Sequence, residues 1–143
     1  MNVTQILKLK GSQEVETISP RATVREAAQT LGEKRYGALV VSHGDGTVSG
    51  ILSERDVVRG LGREGAAILE KPVSSLMTAD VQSCARNESS DAVLERMTNG
   101  RFRHMPVIED GKMVGFLSIG DVVKARLFEM QEENAAMQTM LHG

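Results

Sequence analysis

The sequence predicts an α+β fold built from two β-α-β-β-α repeats, and three observations support this prediction. First, residues 50–59 recur as residues 115–124, with the glycine, the serine, the aspartate and both valines retained. Second, further blocks recur upstream in the same order, 23–31 as 89–97 and 38–41 as 105–108. Third, the hydrophobic spacing alternates between the strand period and the helix period in the same order in both copies.

The elements of the first copy follow from its hydrophobic spacing and its turn residues. Thr23 followed by Glu26 is a capping-box pattern, which predicts the start of a helix. That helix places Val24, Ala27, Ala28 and Leu31 on one apolar face. Two apolar runs then flank a glycine-containing turn, which predicts a β-hairpin. The predicted elements are an extended stretch at 14–18, a helix at 24–34, strands at 38–42 and 48–53, and a helix from Glu54.

The second copy follows the same plan, with Ser89 suited to cap its first helix. Its predicted elements are an extended stretch at 81–84, a helix after Ser89, strands at 105–109 and 113–118, and a helix from Ile119. The apolar runs in both copies are too continuous for a sheet exposed on one face, so we expect helices to cover the strands. Residues 60–78 are predicted to be irregular or short helix, and residues 1–13 contain a short amphipathic turn with Val3, Ile6 and Leu7.

These elements divide the chain into five parts. The predicted boundaries are an N-terminal segment at 1–13, a first repeat at 14–62, a linker at 63–79, a second repeat at 80–126 and a C-terminal helix at 127–143.

Composition excludes several classes of function. The chain has 143 residues, of which 41% are hydrophobic, so it can bury a core, and its net charge of −2 leaves no basic surplus for a phosphate backbone. We therefore expect no nucleic-acid partner. No signal-peptide pattern or membrane-length apolar run is present, so no membrane association is expected. The single cysteine, Cys84, fits a reducing compartment, and we expect a cytoplasmic protein.

The sequence carries no motif of an enzyme. No nucleophile elbow and no phosphate-binding Walker loop occur. His43, His104 and His142 are far apart, and none stands in a metal-ligand spacing with Cys84. We therefore expect no catalytic residue, no metal and no catalytic cofactor.

A Ser-x-x-Asp motif stands between a strand and a helix in each copy, as Ser53 with Asp56 and Ser118 with Asp121. One interpretation is helix capping, because serine is a good N-cap and an acid in the first turn suits the helix dipole. The other interpretation is ribose binding, because a carboxylate accepts hydrogen bonds from both hydroxyls of a cis-diol. One residue can do both, and the repetition of the motif favours binding in at least one copy.

These motifs together resemble a tandem pair of CBS domains, of the type found in short bacterial proteins that consist only of such a pair. The resemblance covers nearly all of residues 15–124 and rests on the segments 15–20, 50–56, 76–78, 103–107 and 115–121. It implies two β-α-β-β-α repeats packed by pseudo-twofold symmetry, with clefts between them that bind an adenine nucleotide such as AMP, ATP or NAD. It also implies a regulatory role in signal transduction, a homodimer, and a protein effector that the sequence does not name.

The resemblance also implies which residues line the clefts, because each motif would face strands of the other repeat. One predicted cleft has Ser53, Arg55 and Asp56 with Gln82, Ser83, Arg103, His104, Met105 and Pro106. The other has Ser118, Ile119 and Asp121 with Thr17, Ile18, Pro20, Tyr36, Gly37 and Ala38. Arg103 and His104 are the best phosphate candidates, although Arg103 could instead pair with an acid such as Glu109. The corresponding Tyr36 and Gly37 carry no charge, so we expect unequal clefts, with the cleft of Asp56 taking a phosphorylated ligand most readily.

The C-terminal helix shows a heptad pattern. Its apolar positions are Val123, Leu127, Met130, Met137 and Leu141, and Asn134 falls in the same seam. This spacing favours a dimer contact, while the alternative is that the helix packs on its own module. A second hypothesis for the whole chain follows from it, namely a structural dimerisation module with empty clefts.

Overall fold

A computed structural model describes residues 1–11 and 15–142 of the chain. The chain forms two compact units, one of Glu14–Gln82 with Asp110–Met113, and one of Met1–Gln13, Ser83–Glu109 and Val114–Gly143. The first unit contains the first repeat. The second unit contains the second repeat together with both ends of the chain. Among the described residues, no helix combines the length and the apolar character that crossing a bilayer requires.

The first repeat has the predicted order of elements. They are β1 (Thr17–Ile18), α2 (Val24–Lys34), β2 (Ala38–Val41), β3 (Gly50–Ser53) and α3 (Glu54–Glu64), after an N-terminal helix α1 (Val3–Lys10). The three strands form one sheet, in which β1 is parallel and β3 antiparallel to the central β2. The predicted helix at 24–34 is confirmed, and the hairpin is confirmed with shorter strands. The predicted start of the first extended stretch, Glu14, lies outside the described residues.

The core of the first unit explains its continuous apolar runs. All four residues of β2 are buried, and Leu39 and Val41 lie in the core cluster to which α2 contributes its apolar face. Val24, Ala27 and Leu31 provide that face, as the spacing predicts. The core also includes Ile68 and Val73, which lie in two short 3-10 helices.

The segment 60–78 is more regular than predicted at its start, because α3 continues through Gly60 to Glu64. A Cβ at Gly60 would stand 2.7 Å from the Leu76 side chain and 2.9 Å from that of Ile68. The absence of a side chain there therefore lets α3 pack closely on the chain that follows it.

The second repeat repeats this plan with α4 (Ser90–Gly100), β4 (His104–Glu109), β5 (Lys112–Ser118) and α5 (Ile119–His142). Ser89 caps α4 as predicted. The predicted extended stretch at 81–84 is reduced to one parallel bridge between Cys84 and Val107. The Cys84 carbonyl accepts from the Ile108 N–H at 2.9 Å, but the β4 residue that would continue this ladder towards Gln82 is Pro106, which has no N–H to donate.

The N-terminal helix α1 belongs to the core of the second repeat. The predicted amphipathic turn is a complete helix, which begins with a capping box between Asn2 and Gln5. Its buried residues Val3, Ile6 and Leu7 pack in the cluster of the second repeat. Leu7 lies against Gly115, where an added Cβ would stand 2.8 Å from the leucine methyl carbon.

The glycine that both repeats share before the Ser-x-x-Asp motif has a local reason in each unit. At Gly50 an added Cβ would stand 2.7 Å from the carbonyl oxygen of Thr78. Thr78 also exchanges two backbone hydrogen bonds with Ile51, which holds this carbonyl in place. At Gly115 the close neighbour is Leu7 of α1. The repeated glycine therefore permits close packing on a different segment in each unit.

Candidate functional site

Both Ser-x-x-Asp motifs form capping boxes, so the capping interpretation is confirmed. In the first repeat the Ser53 hydroxyl accepts from the Asp56 N–H at 3.2 Å, and Asp56 Oδ2 accepts from the Ser53 N–H at 2.8 Å. In the second repeat the Asp121 N–H donates to the Ser118 hydroxyl at 3.1 Å, and the Ser118 N–H donates to Asp121 Oδ2 at 2.8 Å. Each aspartate is partly buried, and its carboxylate is held in place by its own helix start.

In the first unit, the start of β2 lies beside this capping box. Ala38 is the ladder partner of Ser53, and the Glu54 N–H donates to the Gly37 carbonyl at 3.0 Å. Gly37 and the neighbouring Tyr36 are exposed, while Ala38 is buried. The structure thus brings three predicted site residues close to the first motif of their own unit.

In the second unit, the corresponding place includes the positively charged Arg103. The Ile119 N–H donates to the Arg103 carbonyl at 2.8 Å, which places the start of β4 beside the start of α5. The His104 ring stacks on the Phe116 ring with centroids 5.5 Å apart. Glu109 pairs with Arg86 at 3.2 Å, so the alternative partner considered for Arg103 is engaged elsewhere.

Lys10 contacts the aspartate of the second motif. Its ammonium lies 3.0 Å from Asp121 Oδ2 and donates to the Phe116 carbonyl at 2.6 Å. Burial raises the pKa of Asp121, but the hydrogen bond from the Ser118 N–H and the charge of Lys10 outweigh this, and the pKa lies below its ordinary value. Asp121 is therefore an anion at neutral pH.

Sequence reasoning missed Lys10. No motif connects it with Asp121, since the two residues stand at opposite ends of the chain. The available signal was indirect: the amphipathic pattern around Ile6 ends at a lysine followed by Gly11, which closes the helix with its N–H bonded to the Leu7 carbonyl.

The remaining predicted site residues differ in how far they are exposed to solvent. Met105 is fully buried in the core of the second unit. The other buried positions are Pro20 and Pro106, the partly buried ones are Ile18 and Ser83, and the exposed ones are Thr17, Arg55 and Gln82. That each motif faces strands of the other repeat stays a prediction from the sequence.

The described residues show no arrangement suited to catalysis by a metal or a thiol. Among residues 1–11 and 15–142, no group of three or more histidine, cysteine or acidic side chains is placed to hold a metal ion. Burial raises the pKa of the Cys84 thiol to about 12, so this cysteine is protonated at neutral pH and is a poor nucleophile.

The fold and the motifs define a duplicated α+β module in which each repeat opens its last helix with a partly buried aspartate. The family model for the CBS domain matches residues 8–63 and again residues 73–127. The chain therefore belongs to the CBS-domain family and contains a pair of these domains.

Solved structures agree with this assignment. A CBS-domain containing protein from Agrobacterium tumefaciens is 47% identical, with a TM-score of 0.84 over 88% of this chain and 99% of that one. The CBS domain pair of the protein MJ0100, in complex with 5′-methylthioadenosine and S-adenosyl-L-methionine, has a TM-score of 0.76 at 24% identity over 92% and 98% of the two chains. A CBS domain protein from Pyrobaculum aerophilum, complexed with AMP, has a TM-score of 0.72 at 23% identity over 85% and 89%.

Proposed function

We propose that this chain is a regulatory module without catalytic activity that binds an adenine nucleotide, with Asp56 and Asp121 accepting hydrogen bonds from the ribose hydroxyls. The observation that carries the proposal is the geometry of the two carboxylates. Each capping box uses Oδ2, whereas Oδ1 of both aspartates has no hydrogen-bond partner within the described part of the chain. A cis-diol places one hydroxyl on each oxygen of a carboxylate, so on these fixed, partly buried carboxylates it finds Oδ1 open and takes the place of one donor on Oδ2.

Groups suited to bind the phosphates lie at the starts of α3 and α5 and at the start of β4. The first N–H groups of α3 and α5 favour anions, because the helix dipole and the unpaired donors act together there. In the second repeat, Arg103 adds a guanidinium, whose side chain makes no hydrogen bond or ion pair to any described residue. The first repeat has Tyr36 and Gly37 in the matching place. We therefore propose that the two repeats contribute unequally to phosphate binding.

The related structures support the class of ligand. AMP, 5′-methylthioadenosine and S-adenosyl-L-methionine share an adenosine, and proteins of this fold hold them. At 24% and 23% identity these proteins show only that the fold accommodates such compounds. The assignment to this chain rests on its own two motifs, and AMP, ATP and NAD all satisfy it. Because Cys84 is a buried thiol, we place the module in the reducing cytoplasm.

The test compares AMP with 2′,3′-dideoxy-AMP, which keeps the base and the phosphate and lacks the diol. We expect AMP to raise the melting temperature, with a gain of about 2.7 kcal/mol in the free energy of unfolding at a concentration of 100 times Kd. The dideoxy compound at the same concentration should lose most of this gain. GMP serves as the control for the base.

Equal stabilisation by AMP and the dideoxy compound would show that the aspartates do not bind the diol. If neither AMP, ATP nor NAD stabilises the protein at millimolar concentration, the alternative of a structural dimerisation module with empty clefts is correct.

We also propose that the chain forms a homodimer through the C-terminal part of α5. The seam residues Val123, Leu127, Met130, Met137 and Leu141 are 41–76% exposed. Residues 130–142 are exposed on every side of the helix. An isolated helix of this length is marginal in water, so this segment gains stability from a partner. A second copy fits, because the apolar spacing is a heptad repeat.

The double substitution Met137→Glu with Leu141→Glu tests this contact, because it places charge in the seam. We expect the dimer to dissociate to the monomer mass in light scattering, and removal of the residues after Glu129 to have the same effect. Ala135→Glu with Ala136→Glu adds the same charge outside the seam and should leave the mass unchanged. A dimer that survives the seam substitutions would assign dimerisation to another surface.

A further inference from the structure

The contact between Lys10 and Asp121 occupies the atom that a bound diol would share. Asp121 Oδ2 accepts from the Ser118 N–H at 2.8 Å and lies 3.0 Å from the Lys10 ammonium. A carboxylate oxygen has two lone pairs, and both are therefore used. A diol that bridges the two carboxylate oxygens must compete with Lys10 for Oδ2.

In the first repeat the competitor for Oδ2 is a neutral hydroxyl instead of a cation. Asp56 Oδ2 accepts from the N–H of Ser53 at 2.8 Å and from its hydroxyl at 3.0 Å. Within residues 1–11 and 15–142, no cation lies within ion-pair distance of Asp56. The hydroxyl of Ser53 can rotate away without separating charges, whereas displacement of Lys10 separates an ion pair. The negative charge of the motif's aspartate is thus paired with a cation in the second repeat and unpaired in the first.

The Lys10 side chain can move without its helix. Val3, Ile6 and Leu7 hold α1 in the core, while Lys10 is the last residue of the helix and its side chain is 33% exposed. A lysine stem has four flexible carbons, so its ammonium sweeps several ångströms around a fixed Cα. Its other contact, with the Phe116 carbonyl, is a single hydrogen bond.

We infer that Lys10 is a specificity residue of the Asp121 site, whose ammonium pairs with Asp121 in the unliganded protein and transfers to a ligand phosphate when a nucleotide binds. This inference rests on the proposed function. A nucleoside without phosphate must break the ion pair and offers the ammonium nothing in return. A nucleotide supplies an anion, so the charge is paired before and after binding. The site therefore favours phosphorylated adenosine over adenosine.

The test measures AMP and adenosine by titration calorimetry on an Asp56→Asn protein, in which only the second motif is intact. Adding Lys10→Met should raise the Kd of AMP about tenfold, because a charged hydrogen bond to the phosphate is lost. The same substitution should lower the Kd of adenosine about two- to fivefold, since a partly exposed ion pair no longer has to be broken. Effects of opposite sign on the two ligands are the signature of the transfer.

Two controls accompany this measurement. Lys8→Met removes the same charge from an exposed position of α1 and should leave both affinities unchanged. Lys10→Arg keeps the charge and should preserve the preference for AMP. The melting temperature of each unliganded variant shows that it is folded.

The outcomes distinguish a failure of the Lys10 role from a failure of the proposed ribose site. If Asp56→Asn binds neither AMP nor adenosine, the proposed ribose site at Asp121 is wrong, and the role of Lys10 is wrong with it. If Asp56→Asn binds both ligands and Lys10→Met changes their affinities in the same direction, or changes neither, the ribose site stands and the specificity role is wrong.

Discussion

Asp56→Asn together with Asp121→Asn is expected to abolish the stabilisation of this protein by AMP. The substitution keeps the size of each side chain but removes the charge and one acceptor, so the diol loses its charged hydrogen bonds. At an AMP concentration of 100 times the wild-type Kd, a loss of about 2.7 kcal/mol in the ligand-dependent free energy of unfolding is expected. Thermal unfolding with and without AMP measures it.

The comparison must be made within each variant, because both aspartates also close capping boxes. The substitutions are expected to lower the stability of the unliganded protein by about 0.3–1 kcal/mol for each helix start, because a negative charge in the first turn is lost. Asp110→Asn is the matched control, since this aspartate lies in the exposed turn between β4 and β5 at φ 51°, a conformation that asparagine tolerates. A double variant that retains the full AMP-dependent gain would remove the ribose role from both motifs.

Ile6→Ala is expected to cost about 2–5 kcal/mol in the free energy of unfolding, the largest change in stability that we predict. Ile6 is 1% exposed and packs in the core of the second unit. Its truncation removes buried apolar surface and leaves a cavity that the neighbouring strands can only partly close. Urea unfolding followed by circular dichroism measures the change, because the signal reports the helices of both units.

Leu9→Ala is the control on the same helix, where the side chain is 52% exposed. We expect a change within about 0.5 kcal/mol, as for most exposed positions. Similar costs for Ile6→Ala and Leu9→Ala would mean that α1 does not contribute its apolar face to the core. In that case the position of Lys10 beside Asp121 would also lose its support.

Local patterns predicted most of the secondary structure. The helix at 24–34 was predictable from Thr23 and Glu26, because a capping box is a contact within one turn. The hairpins were predictable because two apolar runs and a glycine turn need no distant partner. The stretch at 81–84 was predicted with less success, because the β4 residue that would continue its ladder is Pro106, which has no N–H to donate. That limit lies in the partner strand and has no signature in the segment itself.

The sequence by itself determined the duplication, because two stretches of one chain can be compared directly. It also determined the order of elements in each repeat and the two Ser-x-x-Asp motifs, because these depend on residues a few positions apart. Only the tertiary structure decided that α1 completes the core of the second repeat and that Lys10 neutralises Asp121 but not Asp56. Burial and ion pairing act through space, so residues at opposite ends of the chain become neighbours without any pattern that relates them. The difference between the two otherwise similar motifs arises from that contact.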